Sequence, residues 1–520
     1  MAGTRMSRNG ILATASAWAA ATTAFAVLLI LAGCANVSQV TGQDNATAAT
    51  TQSETAGTTS YVNGTSRIVV GFNDETPDAN LIIYGPTTRH TKQGATQMGW
   101  SYSDNGGATW TYGGSLPPPT GWSALWGDPA MTTWGASYSV VFLSSLAIPK
   151  SKFPAGGIDG PVTIGNGKSA YIGGACIAKS RDGGKTFAHF QCVQNTDPIA
   201  DVPDAALGHF YDGGSMASSP SGEVFAAFVD VATSQIDVWR SPDGNQPFQR
   251  IATPFPNYVV ASHPRLRIAP DGSLYAAAQI LANAQLQIYY VYLSRYVNGN
   301  WQVAHGASNT TVVYPSVDFG ATVQGSPLRV RTGPQFSFDV GAASEGGGDA
   351  VRLLYTRMDG NTGRLFVQGA ACDLALTSCG DLAGWALGTS GPNDKPIDAF
   401  NPDLVAWKGF IGLPPTWQGS FVYRYGKPAM SVNVARATIG YANGQAFTIP
   451  VDIIQNTPVC PDTRYPAGYW GDYDDMLLTG FDSDGSSNWV RFLTDSSKGC
   501  TKRWEFTAQA QHVQVARYTY

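Results

Sequence analysis

Short apolar runs, rich in β-branched and aromatic residues, recur along the chain from about residue 67 onward. Clear examples are residues 224–229, 288–293 and 351–355, and Gly, Pro, Asp and Asn separate the runs. Runs of this kind between turn residues predict β-strands. Because no long segment has helical periodicity, the pattern predicts an all-β protein of many short strands, such as a sandwich, a barrel or a propeller.

Weak internal repetition favours the β-propeller. A polar or glycine residue, often followed by proline, opens a strand at Asp128, His263, Asn401 and Gly471. A turn of the type P-x-G or D-x-D-G then leads into a strand at residues 220–222, 270–272 and 482–485. Repeat units begin near residues 65, 127, 212, 262, 334, 400 and 469. This count predicts seven blades, or six if one unit is an insertion.

A third recurring element is the most specific, a turn of the form S-x-D-x-G-x-T-F. Residues 180–187 fit it completely, residues 103–110 carry Asn in the Asp place, and residues 241–248 are a degenerate copy. These turns resemble the Asp-boxes of sialidases and related BNR-repeat propellers. The resemblance rests on Ser103, Asn105, Gly107, Trp110, Ser180, Asp182, Gly184, Phe187, Ser241, Asp243 and Phe248.

The resemblance implies a structural role for these turns. The Asp side chain would accept backbone N–H bonds within the hairpin, and Gly or Asn would supply a left-handed conformation. The aromatic residue would pack between neighbouring sheets. In that family the turns lie away from the ligand pocket, so ligands are expected at the propeller axis, where the innermost strands converge.

The openings of the innermost strands therefore supply the candidate ligand residues. They are Asp128, Asp212, His263 with Arg265, Gln335, Asn401 and the stretch Tyr469, Trp470, Gly471, Asp472 and Tyr473. That last stretch is the densest polar and aromatic cluster, and aromatic platforms beside carboxylates suit sugar rings. The alternative for each residue is a turn-capping or channel-lining role.

A sialidase-like activity would need more than this cluster. The resemblance implies three arginines that clamp a sialate carboxylate, a Tyr nucleophile activated by Glu, and an Asp acid/base. Arg67 is the candidate for the first arginine, but it lacks the aromatic and Pro neighbours of the family motif and equally fits an exposed residue that opens a strand. Tyr473 and Tyr469, with Asp472, are the catalytic candidates by position. Glu is scarce, and Glu54 falls in a segment predicted to be a linker.

The N-terminus predicts export and a lipid anchor. Arg5 and Arg8 precede a mostly apolar stretch that ends in Leu31-Ala32-Gly33-Cys34. This resembles the bacterial lipobox, which implies acylation of Cys34 and cleavage before it; the alternative is a plain N-terminal membrane helix. The residue after Cys34 is Ala35 rather than Asp, and in this the N-terminus resembles lipoproteins that are sorted to an outer membrane or cell surface. The predicted division is a signal peptide (1–33), a flexible polar linker that begins with the lipidated Cys (34–60) and a propeller (61–520).

The remaining six cysteines predict disulfides in an exported chain. Proximity favours Cys176 with Cys192 and Cys372 with Cys379, which leaves Cys460 with Cys500. Their spacing does not suggest a metal site, although Asp472, Asp474 and Asp475 could hold a structural calcium ion. The net charge of −5 gives no reason to expect a nucleic-acid partner.

The sequence thus predicts a monomeric propeller, held to the membrane by its lipid alone, that binds a glycan or a surface protein at its axial face. The first alternative is a sialidase-like glycoside hydrolase that acts on extracellular glycans. The second is a structural envelope lipoprotein with no small ligand.

Overall fold

The computed structural model describes only part of the 520-residue chain. The described residues are 36–39, 52–74, 96–150, 162–163, 169–170, 173–198, 209–260, 264–283, 288–303, 314–316, 336–342, 349–359, 361–362, 364–387, 397–407, 416–425, 433–442, 445–448, 452–453, 476–481, 487–495 and 512–519. Within these ranges the regular elements are strands, and no helix there is long and apolar enough to cross a membrane.

The described strands form seven antiparallel sheets of four or five strands, together with a small pair, β9 (Val162–Thr163) and β10 (Ser169–Ala170). Sheet 1 holds β2 (Gln52–Val62), β3 (Thr65–Asp74), β4 (Met98–Ser103) and β5 (Thr111–Ser115). Sheet 2 holds β6 (Trp122–Leu125), β7 (Ala130–Thr133), β8 (Val141–Pro149), β11 (Gly174–Ser180) and β12 (Ala188–Val193). Sheet 3 holds β13 (Tyr211–Ser218), β14 (Val224–Asp230), β15 (Gln235–Ser241) and β16 (Gln249–Ile251). Sheet 4 holds β17 (Arg265–Ile268), β18 (Leu274–Asn283), β19 (Ile288–Val297), β20 (Asn300–Val303) and β21 (Tyr314–Ser316).

The other three sheets repeat this order. Sheet 5 holds β22 (Phe336–Ala342), β23 (Asp349–Met358), β24 (Leu365–Asp373) and β25 (Cys379–Leu387). Sheet 6 holds β26 (Ile397–Trp407), β27 (Thr416–Tyr425), β28 (Asn433–Ala442), β29 (Gln445–Thr448) and β30 (Asp452–Ile453). Sheet 7 holds β31 (Met476–Phe481), β32 (Ser487–Asp495), β33 (His512–Thr519) and, from the other end of the chain, β1 (Asn36–Gln39).

The first strands of the seven sheets stand side by side in a closed ring: β2, β7, β13, β17, β22, β26, β31 and again β2. Side chains link neighbours in this ring, as where the Thr133 hydroxyl donates to the Thr59 carbonyl (2.7 Å) and the Leu266 amide donates to Ser215 Oγ (2.9 Å). This arrangement is a β-propeller and confirms the predicted all-β propeller fold; the blade number of the whole chain stays a prediction.

The middle strands explain why the sequence shows short, continuous apolar runs. All described positions of β8, β11 and β14 are buried, because each of these strands has a neighbouring sheet on both faces. The core is accordingly divided into clusters that lie between consecutive sheets, one of which joins Val69 and Met98 of sheet 1 to Leu143 and Ala178 of sheet 2. A strand buried on both faces has no reason to alternate between apolar and polar residues.

The two ends of the propeller can be told apart by strand direction. Within each sheet the strands alternate in direction, and the seven first strands all begin at the same end. We call the end at which the first strands begin the front face. The opposite end, the hairpin face, carries the turns between third and fourth strands, among them residues 103–110, 180–187 and 241–248.

The structure corrects the predicted start of the domain. Residues 52–60, assigned from the sequence to a flexible linker, belong to β2, and β1 also falls in that segment. An innermost strand contacts the channel rather than a wide apolar core, so small residues such as Ala56, Gly57 and Thr58 suit it. The prediction treated their polar composition as a sign of disorder, and for residues 52–60 it is wrong.

Two of the predicted disulfides are present. Cys176 bonds to Cys192, and Cys372 bonds to Cys379. Each joins the third strand of its sheet to the fourth, which is the outer edge strand. Cys460 and Cys500, like Cys34, lie outside the described residues.

Candidate functional site

The innermost strands enclose a cavity of about 400 Å³ on the propeller axis. All seven sheets contribute to its wall, which is formed largely by small and apolar residues. The charged residues of the wall are Arg265 and Arg267 of β17 and Asp339 of β22. The wall also carries the hydroxyl groups of Thr58, Thr132, Ser215 and Ser218, and a cavity of this size with a few charged groups is typical of a small-molecule site.

Backbone irregularities mark the front end of this cavity. In β2, β13 and β26 the strand pairing shifts, and a residue in the left-handed region lies at each shift: Glu54 (φ 53°), Gly213 (φ 52°) and Asn401 (φ 48°). In sheet 2 the corresponding break separates β6 from β7, and Asp128 (φ 50°) lies in it. This conformation costs a non-glycine residue about 1–2 kcal/mol. Bulges and backbone strain of this kind concentrate beside functional sites, where they redirect side chains.

Three carboxyl groups meet at these irregularities. Asp128 makes side-chain hydrogen bonds to both Glu54 and Asp212, and its Oδ2 also accepts the Gly213 amide at 3.2 Å. Glu54 is almost fully buried and accepts a bond from Asn73 Nδ2 at 2.6 Å, while Asn73 Oδ1 accepts the Asp128 amide at 2.7 Å. The three acids come from three consecutive sheets, one or two residues before the residues that line the cavity.

The surroundings of Asp128 favour its neutral form. Desolvation by burial is the largest cause, and the negative charge and hydrogen bonding of Glu54 and Asp212 add to it, so the pKa of Asp128 is raised well above its usual value. A carboxyl group with a raised pKa keeps its proton to higher pH than usual, and in that form it can donate a hydrogen bond, or the proton itself, to a ligand.

On the other side of the ring the cavity wall carries a cation beside an acid. Arg267 Nε lies 3.7 Å from Asp339 Oδ1, and Asp339 Oδ2 accepts the Ala406 amide at 2.8 Å. Burial raises the pKa of Asp339, although the charge of Arg267 and the amides of Ala406 and Val340 oppose the effect. Arg265, the neighbouring cation, is largely buried. Guanidinium groups in a cavity can hold carboxylate or hydroxyl oxygens of a ligand.

The hairpin face has a structural arrangement. Asp182 Oδ1 accepts the amides of Lys185 and Thr186, both at 3.0 Å, and Asn105 Oδ1 accepts the Thr109 amide at 2.9 Å. Asp243 Oδ1 likewise accepts the amides of Asn245 and Gln246. These are the hydrogen bonds predicted for the three turns, whose assignment as Asp-boxes stays a resemblance.

The aromatic residues of the turns reach the preceding sheet. The Phe187 ring packs edge-on against Trp100 of sheet 1, and the Trp110 ring against Phe492 of sheet 7, with centroids 5.4 and 5.9 Å apart. Phe248 joins the core cluster between sheets 2 and 3. The turns therefore fasten each sheet to the one before it.

Arg67, named from the sequence as a candidate ligand residue, lies at the hairpin face. Its guanidinium donates to Asp104 Oδ1 and to the Asp182 carbonyl, each at 2.6 Å, and lies over the Tyr102 ring. It is buried, which also differs from the alternative of an exposed residue that opens a strand. In this structure Arg67 connects two turns and is not part of the cavity wall.

Of the other sequence candidates, the structure brings Asp128 and Asp212 together and places Arg265 on the cavity wall. Asn401 occupies one of the left-handed positions. His263, Gln335 and residues 469–473, with the catalytic candidates Tyr469, Asp472 and Tyr473 and the candidate platform Trp470, lie outside the described residues. So do Asp474 and Asp475, and no group of His, Cys, Asp and Glu in the described ranges could hold a metal ion.

Sequence reasoning missed Glu54, Arg267 and Asp339. Glu54 was set aside with the linker. Arg267 and Asp339 could have been found from their positions in innermost strands. Arg267 lies two residues after the start of Arg265–Ile268, and Asp339 lies three residues after the start of Phe336–Ala342. Residues that alternate along such a strand share one face, so Arg267 follows from Arg265.

No protein-family model matches the chain, and no curated protein matches it. Among solved structures, a Dyadobacter fermentans protein of unknown function is 13% identical, over 78% of this chain and 98% of that one, with a TM-score of 0.41. A leech intramolecular trans-sialidase is 11% identical over 76% of this chain and 67% of that one, with a TM-score of 0.43. An α-L-arabinanase of Penicillium chrysogenum is 10% identical over 94% of this chain and 98% of that one, with a TM-score of 0.41. At these identities a likeness says nothing about substrate or activity.

Proposed function

We propose that this protein is an envelope-anchored propeller that binds a glycan in its axial cavity, with the front face as the mouth of the site. The observation that carries the proposal is the cavity of about 400 Å³, lined by seven innermost strands and provided with cations on one wall and carboxyl groups at its front end. That volume suits one or two sugar rings better than a protein segment.

The chemistry of the wall supports a polar, ring-shaped ligand. Small and apolar groups such as Ala56, Gly57 and Met131 leave room for the ring, while Arg265 and Arg267 offer fixed donors. The carboxyl groups of Glu54, Asp128 and Asp212 provide acceptors and, at Asp128, a proton that can be donated. Sugars carry hydroxyl groups that both donate and accept, so they match a site that does both.

Binding is tested on an array of neutral and acidic oligosaccharides, followed by calorimetry with any that bind. Arg267→Gln removes a cation from the cavity wall and should weaken binding about tenfold or more, since a charged hydrogen bond contributes about 1.5–3 kcal/mol. Arg240→Gln is the matched control, because Arg240 pairs with Glu223 away from the cavity wall and should leave the affinity unchanged. Failure of the folded protein to bind any oligosaccharide, or equal affinities for the two variants, would contradict the proposal.

Hydrolysis is the second candidate, and the raised pKa of Asp128 is the observation that favours it. A glycosidase needs a carboxyl group that stays protonated near neutral pH and gives its proton to the leaving group. On fluorogenic glycosides, Asp128→Asn should then lower the rate by about 10²–10⁴-fold and leave binding in place. The wild-type rate should fall as the pH rises through the pKa of Asp128. Binding without release of the fluorophore would leave the protein as a binding propeller.

The anchor is a separate part of the proposal. The lipobox-like Leu31-Ala32-Gly33-Cys34 supports acylation of Cys34, and the two disulfides are compatible with an extracytoplasmic location. Mass spectrometry of the mature N-terminal peptide tests it directly. The expected peptide begins with Cys34 and carries acyl chains.

A further inference from the structure

The direction of β1 determines which face of the propeller lies near the anchor. β1 is antiparallel to β33, with Asn36 opposite Arg517 and Gln39 opposite Gln514. β33 is the third strand of its sheet and, like the other third strands, ends at the hairpin face. β1 therefore begins at the hairpin face. The position of the Arg517 side chain supports this direction. It lies against the turn at residues 103–110, where a Cβ on Gly107 would come within 3.1 Å of Arg517 Cδ.

The chain leaves little freedom between the anchor and this face. Cys34 precedes Asn36 by two residues, which span at most about 7 Å when fully extended. The nine residues of β32 measure about 30 Å from one face to the other at about 3.3 Å per residue. An acyl group on Cys34 is thus held beside the hairpin face, and the polypeptide cannot carry it round to the front face.

The surface around this point suits a lipid headgroup layer. Tyr61 and Tyr138 are 56% and 64% exposed, more than any other large apolar or aromatic side chain in the described residues. Both lie at the hairpin face and meet through a hydrogen bond from the Tyr61 amide to the Tyr138 carbonyl (2.8 Å). Tyrosine favours the membrane interface, since its ring is apolar and its hydroxyl is polar.

Charge on the same surface is compatible with anionic lipids. Arg181 and Lys185 are exposed on the second turn, next to Gly183, whose amide donates to the Ser139 carbonyl beside Tyr138. The nearby acid Asp104 is paired with Arg67 Nε at 2.6 Å and also with Lys185 Nζ at 3.9 Å, so two cations balance its charge. Exposed basic side chains near a bilayer are attracted to anionic headgroups.

We propose that the hairpin face, with Tyr61, Tyr138, Arg181 and Lys185, rests on the membrane surface, and that the front face with the cavity mouth opens away from it. The inference rests on the proposed acylation of Cys34 and is independent of what the cavity binds. The protein then sits directly on the bilayer, since β1 occupies the place of a tether.

The test compares two variants of the acylated protein, each with one added cysteine, on vesicles of phosphatidylethanolamine and phosphatidylglycerol, with the parent protein as the blank for maleimide labelling of its own cysteines. Lys185→Cys places the probe on the hairpin face, and Asn257→Cys places it on an exposed front-face loop. A bulky water-soluble maleimide should modify the first at least about tenfold more slowly on vesicles than in the acyl-free chain that starts at residue 35, because headgroups cover the site. It should modify the second at the same rate in both.

Equal protection at both positions, or protection of Asn257→Cys alone, would overturn the orientation. A mature N-terminus without acyl chains would overturn its premise, and it would leave glycan binding untouched. The Tyr61→Ser and Tyr138→Ser double variant gives a further check, because it should regain part of the lost reactivity at Lys185→Cys.

Discussion

At the scale of single residues, the molecule uses short polar side chains to hold backbone turns. Asp182 is the clearest case: two amides and the Thr186 hydroxyl donate to its carboxylate. Burial opposes ionisation most strongly, but these bonds and one from Ser180 together keep the pKa of Asp182 below its usual value. Asn105 holds the first turn without a charge: its Oδ1 accepts the Thr109 amide, and its Nδ2 donates to the Thr109 hydroxyl.

Asp182→Asn should therefore cost little stability, because an amide oxygen can accept the same backbone bonds. Asp182→Ala should lower the free energy of unfolding by about 1–2 kcal/mol, since the donors of the turn lose their acceptor. Urea denaturation of both variants measures the difference. A loss as large for Asn as for Ala would mean that the charge, and not the geometry, stabilises the turn.

The buried pair of His209 and Asp230 gives a pH dependence with a definite sign. His209 Nδ1 lies 2.6 Å from Asp230 Oδ2, and Nε2 lies 2.9 Å from the Asp197 carbonyl. Burial works to lower the pKa of His209, but the bonds to Asp230 and Asp197 outweigh it and raise the pKa above the usual 6.5. The charged pair therefore stabilises the fold fully below about pH 6.5, and the contribution is lost as the pH rises through the raised pKa.

His209→Gln should accordingly lose most stability at mildly acidic pH and less in alkaline solution. Unfolding measured from about pH 5.5 to 9 for both proteins gives the difference curve directly. A difference that stays flat, or that grows with pH, would contradict a charged pair.

At the scale of elements, the strands that the sequence predicts well are those buried on both sides. The runs 224–229 and 351–355 fall within β14 and β23, because a middle strand requires uninterrupted apolar side chains. The sequence does not predict β2, because its channel-lining residues are small and form no apolar run, and Glu54 is missed with this strand. The meeting of Glu54, Asp128 and Asp212 depends on how three sheets stand around the axis, which spacing along the chain does not encode.

Disulfides reinforce the outer edges of two sheets, where a fourth strand has a neighbour on one side only. Cys176–Cys192 closes 16 residues and Cys372–Cys379 closes 7. Replacing both members of the first pair with Ser should lower the free energy of unfolding by about 3 kcal/mol, and of the second by about 2 kcal/mol, on loop-entropy grounds. Denaturation of the two double variants checks the order. Equal losses, or a larger loss for the short loop, would argue for local packing as the main contribution.

At the scale of the whole molecule, the ring is closed by strands from both ends of the chain. β1 completes sheet 7 beside β33, and β2 stands between β31 and β7 in the inner ring. The predicted domain start at residue 61 would remove both strands. The ring would then lose one of its innermost members and sheet 7 its outer edge.

Chains that start at residues 35, 50 and 61 should consequently differ in steps. The first keeps both strands, the second lacks β1 and the third also lacks β2, so the midpoint of thermal unfolding should fall along this series. Circular dichroism and gel filtration together show whether the shortest chain folds at all. The same midpoint for the first and third would mean that neither strand supports the ring.

The pairing of β1 with β33 also constrains the order in which the strands can pair during folding. β1 emerges first during synthesis or export but can pair only after β33 has emerged, because Gln514 follows its partner Gln39 by 475 positions. Until then the backbone N–H and C=O groups of β1 lack the hydrogen-bond partners that β33 supplies. Sheet 7 can therefore be completed only when the whole chain has been synthesised or exported. A truncated product would keep an open, unpaired strand edge.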